Sequence, residues 1–166
     1  NRKERTALHD AMEQQLKPLS VDEVLAMQKA GAQILDVRDG IDFEGEHMKG
    51  AINIALSGKY ATWAGSMLTH DLPIVVIAEE GGEEEAVMRL GRIGFDNVAG
   101  YLANGMRALE TRPELAQRTE RITAPALAEW IDGQRPDAGA TPVVLDIRSE
   151  AEHAGGHIEG SLNIPL

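Results

Sequence analysis

The stretch from residue 73 to residue 86 constrains the fold more than any other part of the chain. Its sequence, Pro-Ile-Val-Val-Ile-Ala-Glu-Glu-Gly-Gly-Glu-Glu-Glu-Ala, places four consecutive β-branched residues before a glycine pair and an acidic run. This pattern predicts a strand buried on both faces of a parallel sheet, a tight turn, and the first turn of a helix. Because backbone N–H groups at such a junction attract anions, we expect an anion-binding type of loop whose own side chains are acidic.

Other stretches indicate the same alternation of helices and strands. Ser20 and Glu23 form a capping-box pattern at the start of a helix. Residues 34–37 form a short apolar run interrupted only by Asp36, as in a buried parallel strand. The predicted fold class is therefore α/β, with a mainly parallel sheet flanked by helices.

The front of the chain is repeated near its end. Residues 34–56 align with residues 144–166 at a constant offset of 110 positions and without a gap. Nine of the 23 aligned positions are identical, which is far more than the composition would produce by chance. The identical pairs are Leu35/Leu145, Asp36/Asp146, Arg38/Arg148, Gly45/Gly155, His47/His157, Gly50/Gly160, Asn53/Asn163, Ile54/Ile164 and Leu56/Leu166. The sequence thus predicts two copies of one domain.

These patterns divide the chain into four parts. Residues 1–16 are expected to form a connector helix, because apolar residues recur along them at helical spacing. Residues 17–110 are expected to form one complete domain, residues 111–121 a linker, and residues 122–166 the N-terminal half of a second domain. A half-domain of this kind leaves an apolar sheet edge open, and self-association with another copy of the chain is one way to cover it.

The composition excludes several classes of function. The formal charge of −11 leaves no basic surface for nucleic acid or for an anionic membrane. No apolar run reaches the length of a membrane span, and the charged first residues do not resemble a secretory signal. The chain has no cysteine, so it offers no thiolate nucleophile, disulfide or cysteine-bound metal. We expect a cytoplasmic protein and no cofactor in this chain.

Two motifs resemble the signature of the rhodanese fold. In the first copy, residues 35–38 (Leu-Asp-Val-Arg) precede residues 47–54 (His-Met-Lys-Gly-Ala-Ile-Asn-Ile). In the second copy, residues 146–148 (Asp-Ile-Arg) precede residues 156–165 (Gly-His-Ile-Glu-Gly-Ser-Leu-Asn-Ile-Pro). The resemblance covers nearly the whole chain, and it implies a rhodanese-like fold for both copies.

The same resemblance implies a function for the loop after the central strand. In rhodanese-like enzymes this loop begins with a cysteine that carries a persulfide, and it commonly ends with an arginine. Ala78 occupies the position of the cysteine, and Glu83 lies near that of the arginine. Alanine cannot accept sulfur, and a glutamate repels an anionic substrate. We therefore predict no catalytic residue in this chain and a vestigial active-site loop that consists of Ala78, Glu79, Glu80, Gly81, Gly82 and Glu83.

Three functions remain open at the level of the sequence. The first is a non-catalytic rhodanese-like module of a multidomain sulfur-metabolism protein. The second is a sulfurtransferase whose catalytic cysteine lies in a part of the second repeat outside this chain. The third is an interaction scaffold that is unrelated to sulfur.

A narrower resemblance concerns the neighbours of the first copy. Residues 56–65, 83–86 and 92–102 resemble the first rhodanese domain of proteins that fuse a metallo-β-lactamase-fold hydrolase or dioxygenase to rhodanese repeats. This implies an N-terminal metallo-β-lactamase-fold partner domain, with sulfur chemistry at an iron or zinc site outside this chain. Residues 1–16 would then connect that domain to the first copy.

Three polar residues recur in both copies and allow a structural, a catalytic or a metal-binding interpretation. They are Asp36, Arg38 and His47 in the first copy and Asp146, Arg148 and His157 in the second. We interpret them as structural, because a buried Asp at a strand end commonly orients an Arg or His nearby. His153 and His157 have the spacing of helical zinc ligands, but Gly155 and Gly156 interrupt the helix, so no metal site is predicted.

The acidic run from Glu79 to Glu85 leaves three interpretations open. It is most simply a solvated helix start, where carboxylates interact favourably with the positive end of the helix dipole. Alternatively, one carboxylate folds back onto the loop N–H groups and fills the anion site. Docking of a basic partner surface is the third interpretation.

Overall fold

The computed structural model describes residues 16–133, 140 and 142–166. The chain divides into two compact units, Asn1–Glu120 and Arg121–Leu166. The connector helix predicted over residues 1–16 falls on residues 1–15, outside the described residues, and on Leu16, which lies in a turn. No described helix is long and apolar enough to cross a membrane.

The first unit contains seven strands, four α-helices and two short 3₁₀ helices among its described residues. The strands are β1 (Pro18–Leu19), β2 (Gln33–Asp36), β3 (His47–Met48), β4 (Ile52–Asn53), β5 (Ile74–Ile77), β6 (Val98–Leu102) and β7 (Ala116–Gln117). The α-helices are α1 (Val21–Lys29), α2 (Gly40–Gly45), α3 (Tyr60–Met67) and α4 (Glu83–Gly91), and the 3₁₀ helices are Gly105–Leu109 and Pro113–Leu115.

The main sheet of this unit has five strands in the order β1-β6-β5-β2-β4. All four neighbouring pairs are parallel, whereas β3 and β7 form a separate antiparallel pair. The helices flank the sheet, so the predicted α/β class with a mainly parallel sheet is confirmed. A parallel sheet of this kind places the carboxyl ends of its strands at one edge.

Both faces of the central strand β5 pack into the hydrophobic core. Ile74 and Val76 belong to one hydrophobic cluster, together with α3 and α4 residues such as Tyr60. Val75 and Ile77 belong to a second cluster on the opposite face. All four side chains are fully buried, which explains why the strand has an uninterrupted apolar sequence instead of an alternating one.

The predicted linker over residues 111–121 contains ordered structure that belongs to the first unit. In β7, Ala116 and Gln117 pair with Met48 and His47. The Lys49 N–H group also donates to the Leu115 carbonyl oxygen at 2.8 Å. The ordered part of the first unit therefore extends further along the chain than the sequence indicated.

The second unit contains a short parallel pair of strands and two helices among its described residues. These elements are α5 (Ala124–Ile131), β8 (Leu145–Asp146), α6 (Glu150–Ala154) and β9 (Leu162–Asn163). Thr123 caps α5, and Ser149 with Glu152 forms a capping box at the start of α6. In β8 and β9, Leu145 pairs with Leu162 and Asp146 with Asn163.

Candidate functional site

Ala78 follows directly after β5 at the carboxyl edge of the first unit's sheet. Its side chain is buried, with 4% of its surface exposed. Gly105 approaches it closely, because a Cβ atom at Gly105 would lie 2.7 Å from the Ala78 carbonyl oxygen, and Gly105 has a φ of +53°. Ala78 is thus held on packed backbone at the edge of the sheet where open parallel sheets bind their ligands.

A tight turn follows Ala78. The Gly82 N–H group donates to the Glu79 carbonyl oxygen at 2.9 Å and closes a four-residue turn. Gly81 is the third residue of that turn and has a φ of +88°, in the left-handed region that favours glycine. At Gly82, a Cβ atom would lie 3.2 Å from the Glu79 carbonyl oxygen and 3.4 Å from the Ala78 Cβ. The glycine pair therefore allows the chain to reverse and enter α4 beside Ala78.

The carboxylate of Glu83 turns back onto this loop. The Gly81 N–H group donates to Glu83 Oε2 at 2.9 Å. Glu83 is half-buried, whereas the other four glutamates of the acidic run are exposed. A carboxylate that accepts a loop N–H group lies where a bound anion is stabilised at a helix N-terminus. The geometry agrees with a folded-back carboxylate for Glu83 and with a solvated helix start for the others.

A cavity of about 590 Å³ opens over the loop. Its described lining comprises the loop and the segment that follows β6, namely Ala78, Glu79, Glu80, Glu83, Tyr101, Asn104, Gly105, Met106, Arg107 and Ala108. The lining carries three carboxylates, one guanidinium and no thiol. The cavity is large enough for a small molecule, but none of these side chains can form a persulfide, and the excess of carboxylates disfavours an anion.

Residues 104–106 (Asn-Gly-Met) resemble a segment of the rhodanese fold, but the sequence did not show that the segment after β6 forms a wall of this cavity. Asn104 has a left-handed backbone with a φ of 65°, and Gly105 continues the turn into a 3₁₀ helix. An Asn-Gly pair is a turn signal, so a turn could have been placed here. Nothing in the local pattern shows that this turn contacts Ala78, because the contact joins segments that are distant along the chain.

Asp36, Arg38 and His47 form a buried framework at the end of β2. Arg38 Nε and Nη2 donate to the Asp36 carboxylate at 3.0 and 2.7 Å, and Nη2 also donates to the Glu46 carbonyl oxygen at 2.8 Å. The His47 ring stacks on Phe43 at 3.8 Å, and its Nδ1 atom lies 2.6 Å from the Phe43 carbonyl oxygen. None of the three is among the described residues that line the cavity. This geometry agrees with the structural interpretation of these residues.

Asp146, Arg148 and His157 have the same arrangement in the second unit. Arg148 Nε and Nη2 donate to the Asp146 carboxylate at 3.0 and 2.6 Å, and Nη2 donates to the Gly156 carbonyl oxygen at 2.9 Å. The hydrogen bonds that the Arg148 guanidinium and backbone N–H donate to Asp146 hold the pKa of this carboxyl well below its usual range. The His157 ring stacks on His153 at 3.9 Å. Within the described residues, no three His, Cys, Asp or Glu side chains are grouped as metal ligands.

Arg89 is a cation on the same helix as Glu83, but its guanidinium is occupied elsewhere. It donates to the Leu56 carbonyl oxygen at 2.6 Å and to Glu85 at 3.0 Å, and it lies 4.7 Å from the centre of the Tyr60 ring. Burial of that ring raises the pKa of the Tyr60 hydroxyl. Arg89 therefore supports the packing of α3 against α4 and is not among the described residues that line the cavity.

Comparison with known proteins defines the family. The family model described as "Rhodanese-like domain" matches residues 20–111 and 123–166. Because these matches cover most of the chain, the chain belongs to the rhodanese-like family. The fold expected from the two motifs is thereby confirmed.

Individual relatives agree with this assignment. The chain is 36% identical over 84 residues to the thiosulfate sulfurtransferase GlpE of Shewanella oneidensis, a match that covers 49% of this chain and 81% of the relative. A crystal structure of a rhodanese-like domain from Anabaena has a TM-score of 0.50 at 24% identity, with coverage of 57% of this chain and 99% of that one. A thiosulfate sulfurtransferase from Pseudomonas aeruginosa has a TM-score of 0.51 at 20% identity, with coverage of 92% and 34% respectively. At these identities, the two structures show a shared fold.

Proposed function

We propose that the first unit is a non-catalytic rhodanese-like module of a multidomain sulfur-metabolism protein. The observation that carries this proposal is the buried methyl group of Ala78 at the start of the loop. In this family the resemblance places a persulfide-bearing cysteine there, and the relative from Shewanella is named a thiosulfate sulfurtransferase. A methyl group has no lone pair with which to attack sulfur, so this position cannot supply the nucleophile.

The charge of the loop supports the same proposal. Glu83 stands near the position where the resemblance implies an arginine, and its carboxylate accepts the Gly81 N–H bond at 2.9 Å. A thiosulfate or persulfide anion would therefore lose a favourable cation and meet a fixed negative charge instead. The loop keeps the backbone shape of an anion site, while its side chains oppose anion binding.

The proposal is tested by measuring sulfur transfer from thiosulfate to cyanide with the purified chain. We expect thiocyanate to form at the rate of the protein-free reaction. A rate that is proportional to the concentration of the chain, and that co-elutes with it through successive columns, would overturn the proposal.

A second candidate is a sulfurtransferase whose cysteine lies in the continuation of the second repeat. Its support is the resemblance of residues 146–148 and 156–165 to the family signature; the framework of Asp146 and Arg148, whose hydrogen bonds match those of the first unit within about 0.1 Å, supports the same local fold in both repeats. Determining the coding sequence beyond residue 166 tests this candidate. A cysteine 110 positions after Ala78 would support it, and any other residue there would remove it.

The metallo-β-lactamase-fold neighbour is also part of this proposal. Its support is the resemblance of residues 56–65, 83–86 and 92–102 to the first rhodanese domain of such fusion proteins. Coding sequence upstream of residue 1 with a histidine-rich metal-binding motif would support a catalytic neighbour. Upstream sequence without any metal-ligand pattern would instead favour the third candidate, a scaffold unrelated to sulfur.

A further inference from the structure

The cavity over the loop is lined by charges of opposite sign that come from two different elements. Glu79, Glu80 and Glu83 line it from the loop after β5, and Arg107 lines it from the 3₁₀ helix Gly105–Leu109. Negative charge is in excess, but a cation stands on a separate wall of the same cavity. The site is therefore defined by two charged walls and the space that they enclose.

The opposite charges of this cavity do not neutralise each other. Among the described residues, the side chains of Glu79, Glu80 and Arg107 have no hydrogen bond and no ion pair, although all three line the cavity. In the described part of the chain, no carboxylate oxygen lies within 4.0 Å of the Arg107 guanidinium. Free space therefore separates groups of opposite charge, and a ligand that carries both charges can contact both walls.

The backbones of the two walls are packed against each other, which fixes their separation. Leu109 at the end of the 3₁₀ helix is buried, and Met106 packs against the second hydrophobic cluster. On the side of the loop, Ala78 is buried, and its carbonyl oxygen would lie 2.7 Å from a Cβ atom at Gly105. The cavity is thus formed by anchored segments before any ligand enters it, as is usual for small-molecule sites.

The rest of the described lining is mostly uncharged and apolar. Tyr101 contributes an aromatic side chain, Met106 a thioether, and Ala78 and Ala108 methyl groups. Aromatic and thioether groups of this kind pack well against an apolar ligand group. The volume of about 590 Å³ is typical of sites for small ligands.

We propose that this cavity binds a small zwitterion of the α-amino acid class that has an apolar side chain. Its ammonium group faces the loop carboxylates, its carboxylate faces Arg107, and its side chain contacts Tyr101 and Met106. An anion would meet three carboxylates, and a simple cation would leave the guanidinium charge uncompensated, whereas a zwitterion compensates charges of both signs. The inference goes beyond the proposed function and does not rest on the absence of sulfur transfer.

The experiment titrates the full isotope-labelled chain with phenylalanine, leucine or methionine and follows the amide signals of Gly105 and Arg107 by NMR. We expect saturable shifts with a dissociation constant of about 1 mM or lower for at least one of the three. For the amino acid that binds most tightly, the matched probes are the amine that lacks its carboxylate and the acid that lacks its ammonium group. Each probe should bind at least about fivefold more weakly, and the acid most weakly, because each loses one charged contact.

Variants of the chain separate the two charged contacts. Arg107→Gln should weaken binding of the amino acid about fivefold without weakening that of the amine, which has no carboxylate. The double variant Glu79→Gln, Glu80→Gln should weaken binding of both ligands at least about fivefold, because both carry an ammonium group. Arg92→Gln and Glu84→Gln are the matched controls at exposed positions outside the described lining, and they should leave binding unchanged.

Four outcomes would overturn the proposal. The first is the absence of a saturable shift with any of the three amino acids up to about 20 mM. The others are an amine or acid probe that binds as tightly as the amino acid, unchanged binding to Arg107→Gln, and equal effects of Arg107→Gln and Arg92→Gln. These titrations contain no sulfur donor, so their failure would leave the sulfur-transfer test of the proposed function unaffected.

Discussion

The Asp36–Arg38 ion pair of the first unit allows a test of how burial changes the contribution of an ion pair to the free energy of unfolding. Arg38→Met removes the guanidinium and keeps an unbranched apolar side chain, which leaves the fully buried Asp36 carboxylate without its charged partner. Breaking a buried pair in this way costs about 3–5 kcal/mol, and the bond to the Glu46 carbonyl oxygen is lost as well. Arg148→Met breaks the equivalent pair in the second unit, where the Arg148 side chain is 48% exposed, and should cost much less.

Each unit contains one tryptophan, which allows the two to be followed separately. Trp63 lies in α3 of the first unit and Trp130 in α5 of the second, and the chain has no others. In a Trp130→Phe background, Arg38→Met should lower the urea midpoint of the Trp63 signal by about 2 M, from a loss of about 4 kcal/mol and a slope of about 2 kcal/mol/M. In a Trp63→Phe background, Arg148→Met should shift the urea midpoint of the Trp130 signal far less. Equal shifts of the urea midpoint for the two variants would show that burial does not determine the cost of breaking the pair.

Three further changes test the loop and its surroundings. Gly105→Ala should cost at least about 2 kcal/mol in urea unfolding, because its Cβ would lie 2.7 Å from the Ala78 carbonyl oxygen at a φ of +53°. Ala78→Cys creates the only thiol of the chain. Adding Glu83→Gln should lower the pKa of this thiol by about one unit and speed its alkylation at neutral pH about tenfold, because a nearby negative charge is removed. Adding Glu84→Gln, at an exposed position, should change neither the pKa nor the alkylation rate. Hydrogen bonds from the Ser20 backbone N–H and hydroxyl lower the pKa of Glu23 below its ordinary value of 4.5. The ionised carboxylate therefore stabilises the fold above pH 4.5, and this contribution is lost as the pH falls through the folded-state pKa. Glu23→Gln should therefore reduce the loss of stability between neutral pH and acid, as measured by thermal unfolding at each pH.

The elements that the sequence predicted well are those with a strong local pattern. The four apolar residues of β5 indicated a fully buried strand, and the glycine pair after Glu80 indicated the turn that closes from Gly82 to Glu79. The repeat at a constant offset predicted that Asp146 and Arg148 would repeat the geometry of the first copy, because identical residues at identical spacing form the same local bonds.

The elements that the sequence did not predict depend on contacts between distant segments. The strand β7 has two residues and pairs with β3 about seventy positions earlier, so no local periodicity could place it in the first unit. The wall of the cavity around Arg107 is likewise joined to the loop only by the fold. For Glu83, a solvated and a folded-back carboxylate differ by the free energy of about one exposed hydrogen bond, which a sequence pattern cannot resolve.

We propose that this chain accepts no sulfur atom during transfer, and intact-mass spectrometry after incubation with excess thiosulfate, or with a persulfide donor, tests this proposal. The mass of the chain should stay unchanged, since the chain contains no cysteine and a buried methyl group stands at the start of the loop. An adduct of one sulfur atom that cyanide removes as thiocyanate would show instead that the chain carries transferable sulfur.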